Sequence, residues 1–203
     1  KRNSFLNLVL VIALVLPIVA LVGTNNLSTA IIILGIAVIV VFVSDKRYMQ
    51  FVWIAAAGAG MMALFLGMES YRLERIAIWK NPEAYEKGYQ TIQGLYAIGS
   101  GGLFGRGFGE SIQKLGFVPE AQNDMIFSII CEELGFVGAT ILMLVFLVLI
   151  WRFMVIAVHA PDLFGSLIAA GAMGHIAIQV ILNVAVVTNT IPNTGITLPF
   201  ISY

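Results

Sequence analysis

GLYAIGSGGLFGRGFGESIQKLGFVPEAQNDMIFSIICEELGFVG, residues 94–138, sets polar chemistry directly against a membrane-spanning helix. The run opens on Gly99, Gly101, Gly102, Gly105, Gly107 and Gly109. It turns through Pro119-Glu120, reaches Asp124, and then enters an apolar stretch that still carries Glu132 and Glu133. Acids at a membrane boundary cost free energy, so each one needs a partner or a function.

Outward from this stretch, the chain is 60% hydrophobic and 11% charged with a mean hydropathy of +0.96. Soluble domains are closer to half apolar and a quarter charged, so this is an integral membrane protein. Spans are expected at 5–22, 27–43, 48–68, 125–151 and 163–187, each long enough at 1.5 Å per residue to cross roughly 30 Å of hydrocarbon. None alternates as a barrel strand would. The fold class is therefore all-α: a polytopic transmembrane helix bundle, one domain over residues 1–203, with a long extracytoplasmic loop at 69–124.

Lys1-Arg2, Asp45-Lys46-Arg47 and Arg152 fall on one side of these spans, which the positive-inside rule makes cytoplasmic, leaving the loop outside. The loop itself holds Arg72, Arg75, Lys80, Lys87, Arg106 and Lys114, but long loops weigh less in that rule. A start at Lys1 and a stop just after Pro199 read as a fragment with helices missing at both ends. Cys131 is the one cysteine and lies within a span, so it offers neither a disulfide framework nor a cysteine metal site. Acids nearly balance bases in the loop, which excludes a nucleic-acid surface. No internal repeat supports an inverted-repeat transporter.

Within the loop, residues 70–79 space Leu73, Ile76, Ala77 and Trp79 against Arg72, Glu74 and Arg75, the pattern of an amphipathic helix at a membrane surface that Asn81-Pro82 ends. Tyr85, Tyr89 and Tyr96 follow, as an interfacial aromatic belt or as stacking surfaces for sugars. The glycine run fits neither a dinucleotide fingerprint nor a P-loop. It allows positive φ and close approach, and Arg106 within it can meet a phosphate.

Asp124 is the sharpest candidate. At the mouth of the fourth span it is either a helix N-cap or a general base whose pKa partial desolvation raises. Glu120 stands just before it beside a proline. Glu132 and Glu133 diverge by about 100° on a helix, so at least one faces the protein interior, bonded to an amide or Arg or lining a polar cavity. His175, Gln179 and Asn183 form a polar stripe suited to interhelical hydrogen bonds or ligand contact.

The run 89–138, with 71–79 before it and 192–203 at the end, resembles the SEDS proteins, the shape, elongation, division and sporulation family of FtsW, RodA and SpoVE. The resemblance covers essentially the whole chain, which would correspond to the fifth through ninth helices of a ten-helix fold and the start of the tenth. Gln122 stands where the family usually has His, and Asn25-Asn26-Leu27-Ser28-Thr29 where it has an acidic helix lead-in. The resemblance implies a peptidoglycan glycosyltransferase that polymerises lipid II on the outer face of the bacterial cytoplasmic membrane. It also makes Asp124, in Pro119-Glu120-Ala121-Gln122-Asn123-Asp124, the essential carboxylate. Arg72, Arg75, Arg106 and Lys114, with Glu120 and Glu132, are the expected substrate-binding residues, the cations meeting the departing pyrophosphate with or without a divalent cation such as Mg or Mn. Lys87 is expected to matter little. Expected partners are lipid II, nascent glycan, a class B penicillin-binding protein transpeptidase and other division or elongation membrane proteins, with no nucleic acid. A lipid-linked precursor flippase and a non-catalytic scaffold are the alternative readings.

Overall fold

The computed structural model describes residues 4–44 and 70–203, with 52, 56–58 and 60 besides. Its described helices are α1 (Ser4–Asn25), α2 (Leu27–Ser44), α3 (Ser70–Lys80), α4 (Tyr89–Gly101), α5 (Ile126–His159) and α6 (Leu163–Val187). Among the described residues, α2, α5 and α6 are long and apolar enough to cross a membrane. They match the spans expected at 27–43, 125–151 and 163–187, although α5 continues to His159. The span expected at 5–22 falls within α1; that at 48–68 lies outside the described residues apart from 52, 56–58 and 60.

The chain forms two compact units, one of residues 1–69 and 149–178, the other of 70–148 and 179–203. In the first, α1 packs on α2, where buried Val41 meets Val11, Leu34 and Val38. Asn26 starts α2 by accepting a hydrogen bond from the Thr29 amide at 3.1 Å, and Asp162 starts α6 by accepting one from Gly165 at 2.7 Å. Small residues on α6 let it approach α2 closely: a Cβ added to Gly174 would lie 2.5 Å from the Ile39 Cδ1 methyl.

The second unit holds residues 70–124 of the expected loop, and this stretch is largely folded. α3 ends where expected, at Lys80 before Asn81-Pro82. Short 3-10 turns at Pro82–Ala84 and Glu86–Gly88 then lead into α4, which extends over part of the glycine run that sequence alone left as flexible backbone. α4 packs on the start of α5 through its small residues Gly94, Ala97 and Gly101. A Cβ on Gly94 would overlap the Met125 side chain, and one on Gly101 the Cys131 carbonyl. Met125 is buried at this seam, and Val118, Val187 and Leu198 are buried elsewhere in the unit.

The helix α5 is broken at Gly135, whose φ of 67° and ψ of −170° belong to a region open essentially to glycine alone. In an unbroken helix, the amides of Phe136 and Val137 would donate to the carbonyls of Glu132 and Glu133. Here the loop after α4 is spliced between them. Arg106 and Gly107 donate to Glu132 and Glu133 at 2.9 and 3.0 Å, while Phe136 and Val137 donate to Gly102 and Leu103 at 2.9 and 3.0 Å. Two helical bonds are thus replaced by four to the loop, so the break leaves none of these four α5 groups bare at membrane depth. Glycine is required at the splice because a Cβ on Gly105 would overlap the Glu133 carbonyl. Beyond the break, Ile141, Leu144, Val145, Leu147 and Val148 are all more than half exposed, the surface a lipid-facing helix presents.

Candidate functional site

Asp124 lies two residues before α5, at the end of a turn that starts at Glu120, itself in the left-handed region at φ 53°. Asn123 holds the turn by donating from its amide to the Glu120 carbonyl at 2.9 Å and from its side chain to the Glu120 carboxylate. Asn183 on α6, fully buried, donates its side-chain amide to the Asp124 carbonyl at 2.8 Å and to Ile196 at 2.7 Å. Gln179, one turn earlier, donates to Thr197 at 3.1 Å. These two members of the expected polar stripe therefore bind backbone, while His175 is exposed. The final residues close the turn from the other side: Tyr203 donates its amide to Gln122 at 3.0 Å, and the Ser202 hydroxyl donates to Asn123.

The Asp124 residue is only 8% exposed, and its carboxylate accepts a hydrogen bond from Gln90 Nε2 at 3.2 Å. Burial pushes its carboxyl above the ordinary 3.8. The charge of Glu120 adds to the rise, while a hydrogen bond to its own backbone, the Gln90 bond and the charge of Arg75 pull it back. Among the described hydrogen bonds, its side-chain donor is Gln90 and not an amide of α5's first turn, so the arrangement departs from an N-cap.

Asp124 opens on a cavity of about 310 Å³ whose charged lining is Glu74, Arg75, Lys87 and Glu120. Arg75 donates to the Asn193 carbonyl at 3.0 Å, and Trp79 Nε1 to the Asn189 carbonyl at 3.0 Å, so α3 is tied to the segment after α6. Lys87 pairs with Glu74 at 2.9 Å. A second opening of about 480 Å³, lined by Lys114, Val118, Glu120, Ala121, Gln122, Ile126 and Ile129, shares Glu120 with the first.

The expected site residues divide between two places. Asp124, Arg75 and Glu120 share the first cavity. Arg72 sits on α3 one turn before Arg75, and its side chain lies outside the described residues. Glu132 is 1% exposed and occupied by protein donors: the hydroxyls of Ser100 and Ser111, the amides of Ile112 and Gln113, and Arg106 Nε at 3.6 Å. The substrate contact expected of Glu132 is therefore corrected to a scaffolding role, because a saturated, buried carboxylate has no face left for a ligand. Arg106 flanks that scaffold, and Lys114 pairs with Glu133 at 2.7 Å; neither lines the first cavity. Lys87, expected to matter little, does line it. Gln90, Asn189 and Asn193 went unnoticed, since neutral amides carry no signal of charge or spacing. Among the described residues, no group of three His, Cys, Asp or Glu side chains is placed to hold a metal ion.

A family model described as "Cell cycle protein", covering FtsW, RodA and SpoVE, matches residues 1–203. Stage V sporulation protein E of Bacillus subtilis is 48% identical over 88% of this chain and 49% of its own length. A probable peptidoglycan glycosyltransferase FtsW of Trichlorobacter lovleyi is 40% identical over 88% of this chain and 47% of its own. The chain thus spans about half the length of these relatives. A solved structure described as "Structural coordination of polymerization and crosslinking by a peptidoglycan synthase complex" aligns with 96% of this chain and 55% of its own at a TM-score of 0.72 and 29% identity.

Proposed function

The chain belongs to the FtsW, RodA and SpoVE family, a multi-pass protein of the bacterial cytoplasmic membrane, and from that premise we propose that it polymerises lipid II into glycan strands. The observation that carries this reading is a buried carboxylate of raised pKa, Asp124, opening on a cavity that also holds Arg75 and Lys87. In the proposed step, the Asp124 carboxylate takes the proton from the 4-hydroxyl of the acceptor sugar. That oxygen bonds to the anomeric carbon of the donor, whose bond to the pyrophosphate oxygen breaks, and undecaprenyl pyrophosphate leaves as an anion. A base with a raised pKa suits a weakly acidic hydroxyl, and fixed cations stabilise the charge that develops on the leaving group.

Arg75 and Lys87, with Arg72 one turn before Arg75 on α3, are the cations proposed for the pyrophosphate. The solved relative couples polymerization with crosslinking. By that likeness the proposed partner here is a class B penicillin-binding protein transpeptidase.

The test is Asp124→Asn in the full-length protein with its transpeptidase partner, given purified lipid II. The expected result is no glycan strands from a protein that inserts and folds normally. Parental strand synthesis by the Asn variant would remove Asp124 as the base.

A further inference from the structure

Resting on that reading of Asp124 as the base, we infer that Gln90 and Asn193 are positioning residues that lock a hydrogen-bond donor onto the Asp124 carboxylate and tie it to Arg75. The chain of bonds has a fixed direction. It begins at the Gly195 amide, which can only donate and does so to Asn193 Oδ1 at 2.9 Å. Asn193 must then turn its Nδ2 outward, and this donates to Gln90 Oε1 at 3.1 Å. With its oxygen taken, Gln90 presents Nε2, which donates to Asp124 Oδ1 and to the Pro119 carbonyl, both at 3.2 Å. One backbone N–H thereby sets the orientation of two side-chain amides that would otherwise be free to flip. The Asn193 carbonyl also accepts from Arg75, so the residue that orients the base is anchored to a cation of the same cavity.

Three things follow for the chemistry. The donor on Oδ1 favours the ionised carboxylate, offsetting part of what burial takes away. It occupies one oxygen and leaves Oδ2 as the basic atom for the acceptor hydroxyl. Any anion that draws Arg75 away from Asn193 also acts on the support of the base. Among the described residues, the other charged groups that line the cavity with Asp124 are Glu120 on its own turn, Glu74 and Arg75 on α3, and Lys87 on the turn before α4. On α6 the neighbouring Asn183 is neutral, and residues 188–203 carry no charged side chain.

The experiment uses the full-length protein with its partner and two variants. Gln90→Leu removes the donor while keeping most of the volume. Asn193→Leu removes the donor to Gln90 Oε1 without adding a charge, which frees Gln90 to turn its carbonyl towards Asp124. Two readouts are taken: the pH profile of kcat with lipid II, and the infrared titration of the Asp124 carboxyl, identified by its loss in Asp124→Asn. Both variants should raise the infrared midpoint and the acidic limb of kcat by about one pH unit, a tenfold change in proton affinity, with KM changed much less. A variant that kept the parental midpoint and limb would overturn the inference. If the parent makes no glycan but the infrared midpoint still rises, the positioning role stands and the polymerase reading fails. If Gln90→Leu does not fold, Asn193→Leu alone decides in the same terms.

Discussion

Replacing Gly135 with Ala attacks the splice where the outer loop enters α5. Alanine at φ 67° and ψ −170° costs about 1–3 kcal/mol in backbone strain. Its Cβ would also overlap the Gly105 amide and the Leu103 carbonyl, so the loop cannot stay seated. The variant can escape by closing α5 into a continuous helix, losing the four loop bonds and regaining two helical ones. At about 1 kcal/mol net for each bond, the escape costs roughly 2 kcal/mol, and this cheaper route sets the expected destabilisation. Hydrogen exchange distinguishes the outcomes. The amides of Arg106 and Gly107 should exchange at least roughly thirtyfold faster, whereas those of Phe136 and Val137 stay protected by the restored helix. Parental exchange at Arg106 and Gly107, with an unchanged Tm in detergent, would refute the reasoning.

Asp124→Asn should stabilise the protein while it abolishes the proposed activity. The folded carboxyl titrates above its ordinary 3.8, so the folded state binds the proton more tightly and parental stability falls as pH rises between the two values. The Tm advantage of the non-titrating variant should therefore be absent below about pH 4 and grow to a plateau above the folded pKa; an advantage that did not change with pH would contradict the assignment. Arg75→Gln and Lys87→Gln should each lower lipid II turnover about tenfold or more in neutral detergent, given that charge-assisted bonds are worth roughly 1.5–3 kcal/mol. Equal turnover by both variants and the parent would leave these cations without a role. A cysteine at exposed Glu83 should react with an impermeant reagent on intact cells, and labelling only after membrane disruption would invert the proposed topology.

Composition alone made the helical membrane fold legible, because long apolar runs have few other solutions. The amphipathic α3 was equally plain from its spacing. Two features escaped for physical reasons. The break in α5 hides in a run that reads as one long helix, apolar but for Glu132 and Glu133 beside it, and a glycine there reads as ordinary helix until the loop that replaces its bonds is known. The amides that hold Asp124 come from residues 90, 183 and 193, far apart in sequence and neutral, so neither spacing nor charge points to them. The adjacent pair Glu132 and Glu133 shows how far local argument reaches. Geometry required one of them to face inward, but that Ser111 and the amides after it would fill Glu132's oxygens depends on where the loop folds.

The splice at Gly135 also bears on how the protein enters the bilayer. As α5 leaves the insertion machinery, a break without its loop would bring two bare carbonyls and two bare amides into hydrocarbon at several kcal/mol each. Glycine tolerates ordinary helical angles as well, so the same sequence is compatible with an unbroken α5, and the break is stable only with the segment after α4 seated in it. Docking of the loop and opening of the helix are thus two faces of a single event, and neither is stable in hydrocarbon without the other.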